Sequence, residues 1–185
     1  MNTAEPIKIT IVDDADNVIG SETRTIARQR GLIHRIVKVI IINPAGQILI
    51  QKRGAQMEDS PLKWDLSATG HVDAGEDYET AAHRETQEEI GLTKLKLTFI
   101  GKYYYEREVR SLMIRRFNAI FVGHTNQKPL PDPSEVAEIQ WITPHNLTTR
   151  LKANPGEFTR SFSEIFDQFS NQILADKPVD HSRSN

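Results

Sequence analysis

Apolar residues along the chain fall into short runs separated by polar turns, and the period of each run predicts an element. Residues 7–12 read as a strand, followed by a turn-rich stretch at 13–17. Ser21 is placed to cap a short helix that runs through Arg30 and stops at Gly31. Residues 36–42 and 48–51 are rich in β-branched side chains and are separated by Asn43-Pro44-Ala45-Gly46, which predicts an antiparallel hairpin. A polar loop over 54–63 leads to Trp64, and a helix opening at Glu76 or Asp77 runs to Ile90, with Gly91 as its C-terminal stop. Residues 95–106 and 112–122 read as two long strands, and Asp132-Pro133 and Pro144 break the chain around a short strand at 139–142. Phe158, Phe162, Ile165, Phe166 and Phe169 recur near helical spacing and predict a helix over 156–173. Hairpins outnumber βαβ units, so the pattern predicts an α+β sandwich rather than a doubly wound sheet. A single domain is expected over 1–175, with a polar, disordered tail at 176–185.

Composition narrows the chemistry. The 185 residues include no cysteine, which excludes disulfides, thiolate metal sites and cysteine nucleophiles. The N-terminal residues lack a secretory pattern, and the longest apolar run, 39–42, is far short of the roughly 20 residues a membrane helix needs. A formal net charge of -2 gives no bulk attraction to nucleic acid or membrane. A soluble cytoplasmic protein acting on a small molecule is expected.

Candidate chemistry concentrates in residues 70–92. Glu85, Glu88 and Glu89 stand at i, i+3 and i+4, so a helix gathers all three on one face. Like charges at this spacing weaken an isolated helix by about 0.2–0.5 kcal/mol per pair. Only Arg84 to Glu88 has attractive i,i+4 spacing. A hard divalent cation resolves the repulsion, and clustered carboxylate oxygens suit Mg2+ or Mn2+. Gly70 and Gly75 bracket a tight loop at the helix start, where backbone freedom allows a phosphate to approach closely.

The run Gly70-His71-Val72-Asp73-Ala74-Gly75-Glu76, then Arg84-Glu85-Thr86-Gln87-Glu88-Glu89-Ile90-Gly91-Leu92, resembles the Nudix box. Every fixed glycine and charged position is filled, and the one departure is Thr86, where the family usually has an aliphatic residue. The resemblance implies a Nudix-type α/β/α sandwich with a mixed sheet and a loop-helix-loop motif. It implies that Glu85 and Glu89 are metal-binding carboxylates, that Glu88 is a third ligand or orients the attacking water, and that the Thr69 carbonyl is a further ligand. Arg84 would hold Glu85 in place, supported by Glu76. Glu88 and Glu135 are the two candidates for general base. The implied activity is Mg-dependent hydrolysis of a diphosphate linkage in a nucleoside diphosphate derivative or similar compound, and the resemblance also allows a homodimer.

The likeness extends over roughly residues 8–150. Residues 12–20 and 31–35 resemble the N-terminal extension of isopentenyl-diphosphate isomerases, which share the fold. Those enzymes use a cysteine where this chain has Thr69, and carboxylates on a later strand where it has Arg115 and Arg116. An isomerase-like hydrolase is therefore expected, rather than an isomerase or a binding module without activity. His34 and His71 match two isomerase metal ligands and leave open a second metal. Lys52 and Arg53 end a strand before the polar loop and are candidates for phosphate oxygens. Trp64 reads as a base-stacking or a core residue, and alternation along Tyr103, Tyr104 and Tyr105 sends the middle ring to the opposite face.

Overall fold

Strand β3 (His34–Ile42) is the hub of the molecule in the computed structural model, which describes residues 6–175. β8 (Leu112–His124) runs parallel along one edge, from Arg116 opposite His34 to His124 opposite Ile42. The other edge is shared in turn by β1 (Lys8–Val12), β6 (Ala68–His71) and β4 (Ile48–Arg53), all antiparallel. β4 carries β9 (Val136–Ile142) and the short β5 (Trp64–Asp65). β7 (Leu97–Val109) pairs with β8, and β2 (Val18–Thr23) pairs with β1. The sheet is mixed.

Alternation along β3 divides the core into two layers. Val37, Val39 and Ile41 pack with Ala81, Ala82 and Ile90 of α2 (Tyr78–Ile90). Ile40 and Ile42 pack with Leu147 of α3 (Pro144–Ala153) and with Phe162, Phe166 and Phe169 of α4 (Arg160–Ala175). A strand covered on both faces needs apolar residues at successive positions, which explains the near-continuous run at 36–42. The result is the expected α/β/α sandwich.

The expected hairpin between residues 36–42 and 48–51 is a fork. Only Ile42 and Ile48 pair; β6 then takes the edge of β3, while β9 and β5 take β4. The fork leaves backbone groups that need partners, and the fully buried Ser67 supplies them. The Ile41 amide donates to Ser67 Oγ (2.8 Å), which donates to the Leu49 carbonyl (2.6 Å). Ser67→Ala is therefore expected to lower the unfolding free energy by about 1–3 kcal/mol in a urea titration. An unchanged midpoint would mean that water replaces the hydroxyl.

Other boundaries also differ from the pattern. Residues 18–23 form strand β2, so the first helix, α1 (Arg24–Arg30), starts later than Ser21 and is capped by Thr23, with Gly31 left-handed at its end. Pro144 begins α3 instead of ending structure, because a proline in the first turn has no amide to lose and Thr143 caps the helix. α4 starts at Arg160, after a 3-10 turn at Pro155–Glu157. α2 and Gly91 stand as expected, with Asp77 as the N-cap. The tail expected to be disordered, 176–185, lies outside the described residues.

The N-terminal strands brace the loop before α2. Thr10 donates its amide to the Val72 carbonyl (2.9 Å) and its hydroxyl to the Asp73 carbonyl (2.8 Å). Asp16 accepts from Arg35 Nε (2.7 Å), from Tyr78 Oη at the start of α2 (3.0 Å) and from Lys102. Among the described residues no helix is long and apolar enough to cross a membrane.

Candidate active site

The outer edge of β6 meets the buried face of α2. The Thr69 amide donates to Glu89 Oε2 (2.9 Å), so it points away from β3. A strand residue directs its amide and carbonyl to the same edge, so the Thr69 carbonyl also faces the glutamates. Alternation turns Gly70 toward α2, and here only glycine fits: a Cβ would stand 1.8 Å from Glu85 Cδ. Glu85 and Glu89, one turn apart, are 9% and 3% exposed, whereas Glu88 faces solvent.

Arg84 holds this face together. Its Nε and Nη2 grip both oxygens of Glu76 (2.9 Å each), and its Nη1 reaches Glu85 (2.7 Å) and Glu88 (3.0 Å). Nη2 also donates to the His71 carbonyl at 2.8 Å, which ties the helix to the loop. Glu76 is locked in turn by the Asp73 amide (3.0 Å). Thr86, the departure from the box, is buried and donates to the Ala82 carbonyl (2.6 Å), so its hydroxyl costs no unsatisfied group.

Burial pushes the Glu85 carboxyl up to about 7 against the opposing bond from Arg84. Burial pushes Glu89 up to about 8 against the Thr69 amide and Gln51. Burial outweighs these partners for the pair, so a divalent cation would favour their ionised forms, and all-oxygen donors fit a hard one. Among the described residues no three His, Asp or Glu side chains already form a metal-sized cluster; Glu88 is held by Arg84. Glu85, Glu89 and the Thr69 carbonyl are thus the donors at hand, and Glu88 joins them only by leaving Arg84.

A pH dependence follows for the metal-free protein. Unfolded glutamates titrate near 4.5, and these two titrate at about 7 and 8 in the fold. Between those values the folded chain holds the extra protons, so stability falls as pH rises from about 4.5 to 8. In chelator, urea unfolding is expected to show a loss on the order of a few kcal/mol between pH 5 and 8, largely restored by excess magnesium. A flat profile in chelator would contradict this account of Glu85 and Glu89.

The glutamates open on a cavity of about 540 Å³. Glu135, on an exposed turn, lines it and is close enough to raise the pKa of both Glu85 and Glu89. Its carbonyl accepts the Gly54 amide (2.6 Å), fixing the turn against the polar loop. Arg53 also lines the cavity, buried, with Nε on the Asp59 carbonyl (2.9 Å). Lys52 does not: it lies 5.8 Å over the Trp64 ring and 3.8 Å from Glu138, and the register of β4 shifts between it and Arg53. Trp64 belongs to the core. His34 and His71 come together as stacked rings 5.3 Å apart. Burial lowers the pKa of both, His34 to about 4, and Arg116 and Arg24 lower them further. Their neighbourhood is cationic, which opposes a second metal.

Sequence reasoning missed Gln51, which donates to Glu89 Oε2 (2.6 Å), and Lys38, which lines the cavity at 2% exposure. The available signal for Lys38 was a lone charge inside an apolar run, a residue type rarely buried without a partner.

Comparison with known proteins finds relatives in both sequence and fold. The NUDIX domain model matches residues 32–162. An isopentenyl-diphosphate Delta-isomerase of Streptomyces griseus is 33% identical over 168 residues, covering 89% of this chain and 84% of that protein. An uncharacterized Nudix hydrolase of Pseudomonas aeruginosa is 34% identical over 148 residues, covering 80% and 85%. A crystal structure of a Deinococcus radiodurans protein shares the fold at TM-score 0.73 and 24% identity, covering 87% of this chain and 98% of that one. A MutT protein of Methanosarcina mazei does so at TM-score 0.60 and 20% identity, covering 76% and 94%.

Proposed function

The chain belongs to the NUDIX domain family, and on that premise we propose that it is a magnesium- or manganese-dependent hydrolase of a diphosphate linkage in a nucleoside diphosphate derivative or similar small molecule. The observation that carries this reading is the pair Glu85 and Glu89, buried beside the outward edge of Thr69, with Glu85 held by Arg84 and Glu89 by the Thr69 amide and Gln51. When bound, a divalent cation supplies charge neutralisation for the diphosphate oxygens and lowers the pKa of water at the site. Glu85, Glu89 and the Thr69 carbonyl would hold it. Arg84 and Glu76 keep Glu85 in one rotamer, so the donors are set before substrate arrives. Glu88 and Glu135 border the cavity in reach of solvent and are the two carboxylates suited to take the proton of the attacking water. Arg53 offers a guanidinium to phosphate oxygens. The cavity falls within the ~300–1,000 Å³ usual for small-molecule sites.

Incubation with nucleotides, sugar nucleotides and dinucleotides plus magnesium in oxygen-18 water tests this. Mass spectrometry should find one labelled phosphate-containing product, which identifies substrate and attacked phosphorus together. No cleavage across such a panel would overturn the reading.

Isomerisation of a prenyl diphosphate is the competing reading, since the Streptomyces relative bears that name. Two observations weigh against it. Thr69 occupies the position where isomerases use cysteine, and Arg116, where they use a carboxylate, stands beside His34. Formation of dimethylallyl diphosphate from isopentenyl diphosphate would reverse this preference.

A further inference from the structure

The same cavity has a second compartment, on the α4 side of the sheet, whose chemistry is opposite to that of the glutamates. Alternation along β6 sends the Thr69 side chain to this face while its backbone faces Glu89. Lys38, opposite Thr69 in register, is 2% exposed, with Nζ 3.3 Å from Ser161 Oγ and 3.9 Å from Asp65. An ammonium has three protons to donate, and that environment gives it one hydrogen bond. Arg53 reaches the same Asp65 at 3.8 Å. Arg116 stacks 4.6 Å over the Tyr105 ring, and its buried Nε has no hydrogen-bond partner. Thr69 Oγ1 is likewise buried without a partner, and so are both ends of the fully buried Asn118 amide on the same face of β8.

Charge adds direction to these unmet donors. Lys38 and Arg53 share one carboxylate, Asp65, which already accepts from Thr159 Oγ1 and the Leu66 amide (2.9 Å each), while Arg116 lies on the Tyr105 ring. Arg24 and Arg28 have their own acids in Asp59 and Glu58, and Arg160 has Glu164. Lys38, Arg53 and Arg116 thus outnumber the one carboxylate among them, an excess of positive charge that suits an oxyanion.

We propose that this compartment binds a phosphate monoester group of the substrate, separate from the scissile diphosphate, with Lys38, Arg116 and the Thr69 hydroxyl as its donors. The assignment rests on the diphosphate-hydrolase reading for what else the substrate contains, but not for the binding itself. A substrate would then lie through the fork of the sheet, its diphosphate at the glutamate edge and its monoester under α4.

Inorganic phosphate is the first probe, titrated by phosphorus NMR against the full chain in chelator, where the glutamate edge has no cation to offer it. Saturable binding at millimolar concentration is expected, weakened about tenfold or more in both Lys38→Met and Arg116→Gln. Arg115→Gln, on the opposite face of β8, should bind as the wild type does. Lys38→Met removes a buried charge, and Arg116→Gln changes a half-buried side chain, so one variant reports if the other fails to fold. The second probe is a pair of substrates differing by one phosphate: coenzyme A with its 3′-dephospho form, and NADPH with NADH. The phosphorylated member should have a higher kcat/KM by about tenfold or more, a preference lost in both variants. Absent phosphate binding, or binding equal in wild type and both variants, overturns the compartment whatever the enzyme cleaves. Phosphate binding lost in the variants, with no diphosphate cleaved, overturns the hydrolase reading and leaves the compartment standing.

Discussion

Glu89→Gln is expected to lower kcat for diphosphate cleavage by about three orders of magnitude or more, roughly 4 kcal/mol of transition-state stabilisation, while making the metal-free protein more stable. The two effects have one cause. Glu89 is 3% exposed, and its ionised form is opposed by burial and by Glu85. Glutamine keeps an acceptor for the Thr69 amide and removes the buried charge. In chelator at pH 8, the variant should gain on the order of 1–3 kcal/mol by urea unfolding. It should gain little from added magnesium, unlike the wild type. A variant that loses stability along with activity would show that Glu89 serves the fold, not the cation.

Gly70→Ala is the second large effect, and it separates position from charge. The added methyl would fall 1.8–2.2 Å from the Glu85 carboxylate, so that group must move and release Arg84 at 2.7 Å. Glu85 is the far end of a side chain and can yield where backbone cannot. The stability cost should therefore be modest, about 1–3 kcal/mol. Activity should fall about a hundredfold or more, since displacement by an ångström is enough to lose that much. Magnesium titration calorimetry on the variant should show weakened binding. Wild-type turnover would mean that the placement of Glu85 is not what the chemistry uses.

The acidic edge was legible in the sequence because its information is local. Three glutamates at i, i+3 and i+4, an arginine before them and two glycines ahead fix a helix face and a tight loop without reference to distant chain. What surrounds that face was less legible, because it depends on which strands meet. The fork at Ser67 could not be read from two apolar runs and a turn, which describe a hairpin equally well. β2 is an edge strand whose Val18 and Ile19 are exposed, so no alternation marks it. A proline can end one element or begin the next, and at Pro144 only the preceding Thr143 distinguishes the two. Gln51 and Lys38 sit in apolar runs where the pattern is set by neighbours and their own polarity is easily passed over. The opposite fates of Lys52 and Arg53 turn on the pairing of β4, where the register shifts between these two residues.

The parallel pairing of β3 with β8 joins residues roughly 80 positions apart along the chain, and such non-local contacts are the slow ones to form. Helix α2, with its own caps at Asp77 and Gly91, needs no such partner to start winding. A chain that winds this helix first would start its glutamates in water, where their charge is solvated. They are drawn out of it only when Thr69 and Gln51 arrive on strands that depend on the central pairing. Such an order would keep the electrostatic cost of the acidic edge out of the early steps and place it last, when the rest of the sheet is already there to bear it.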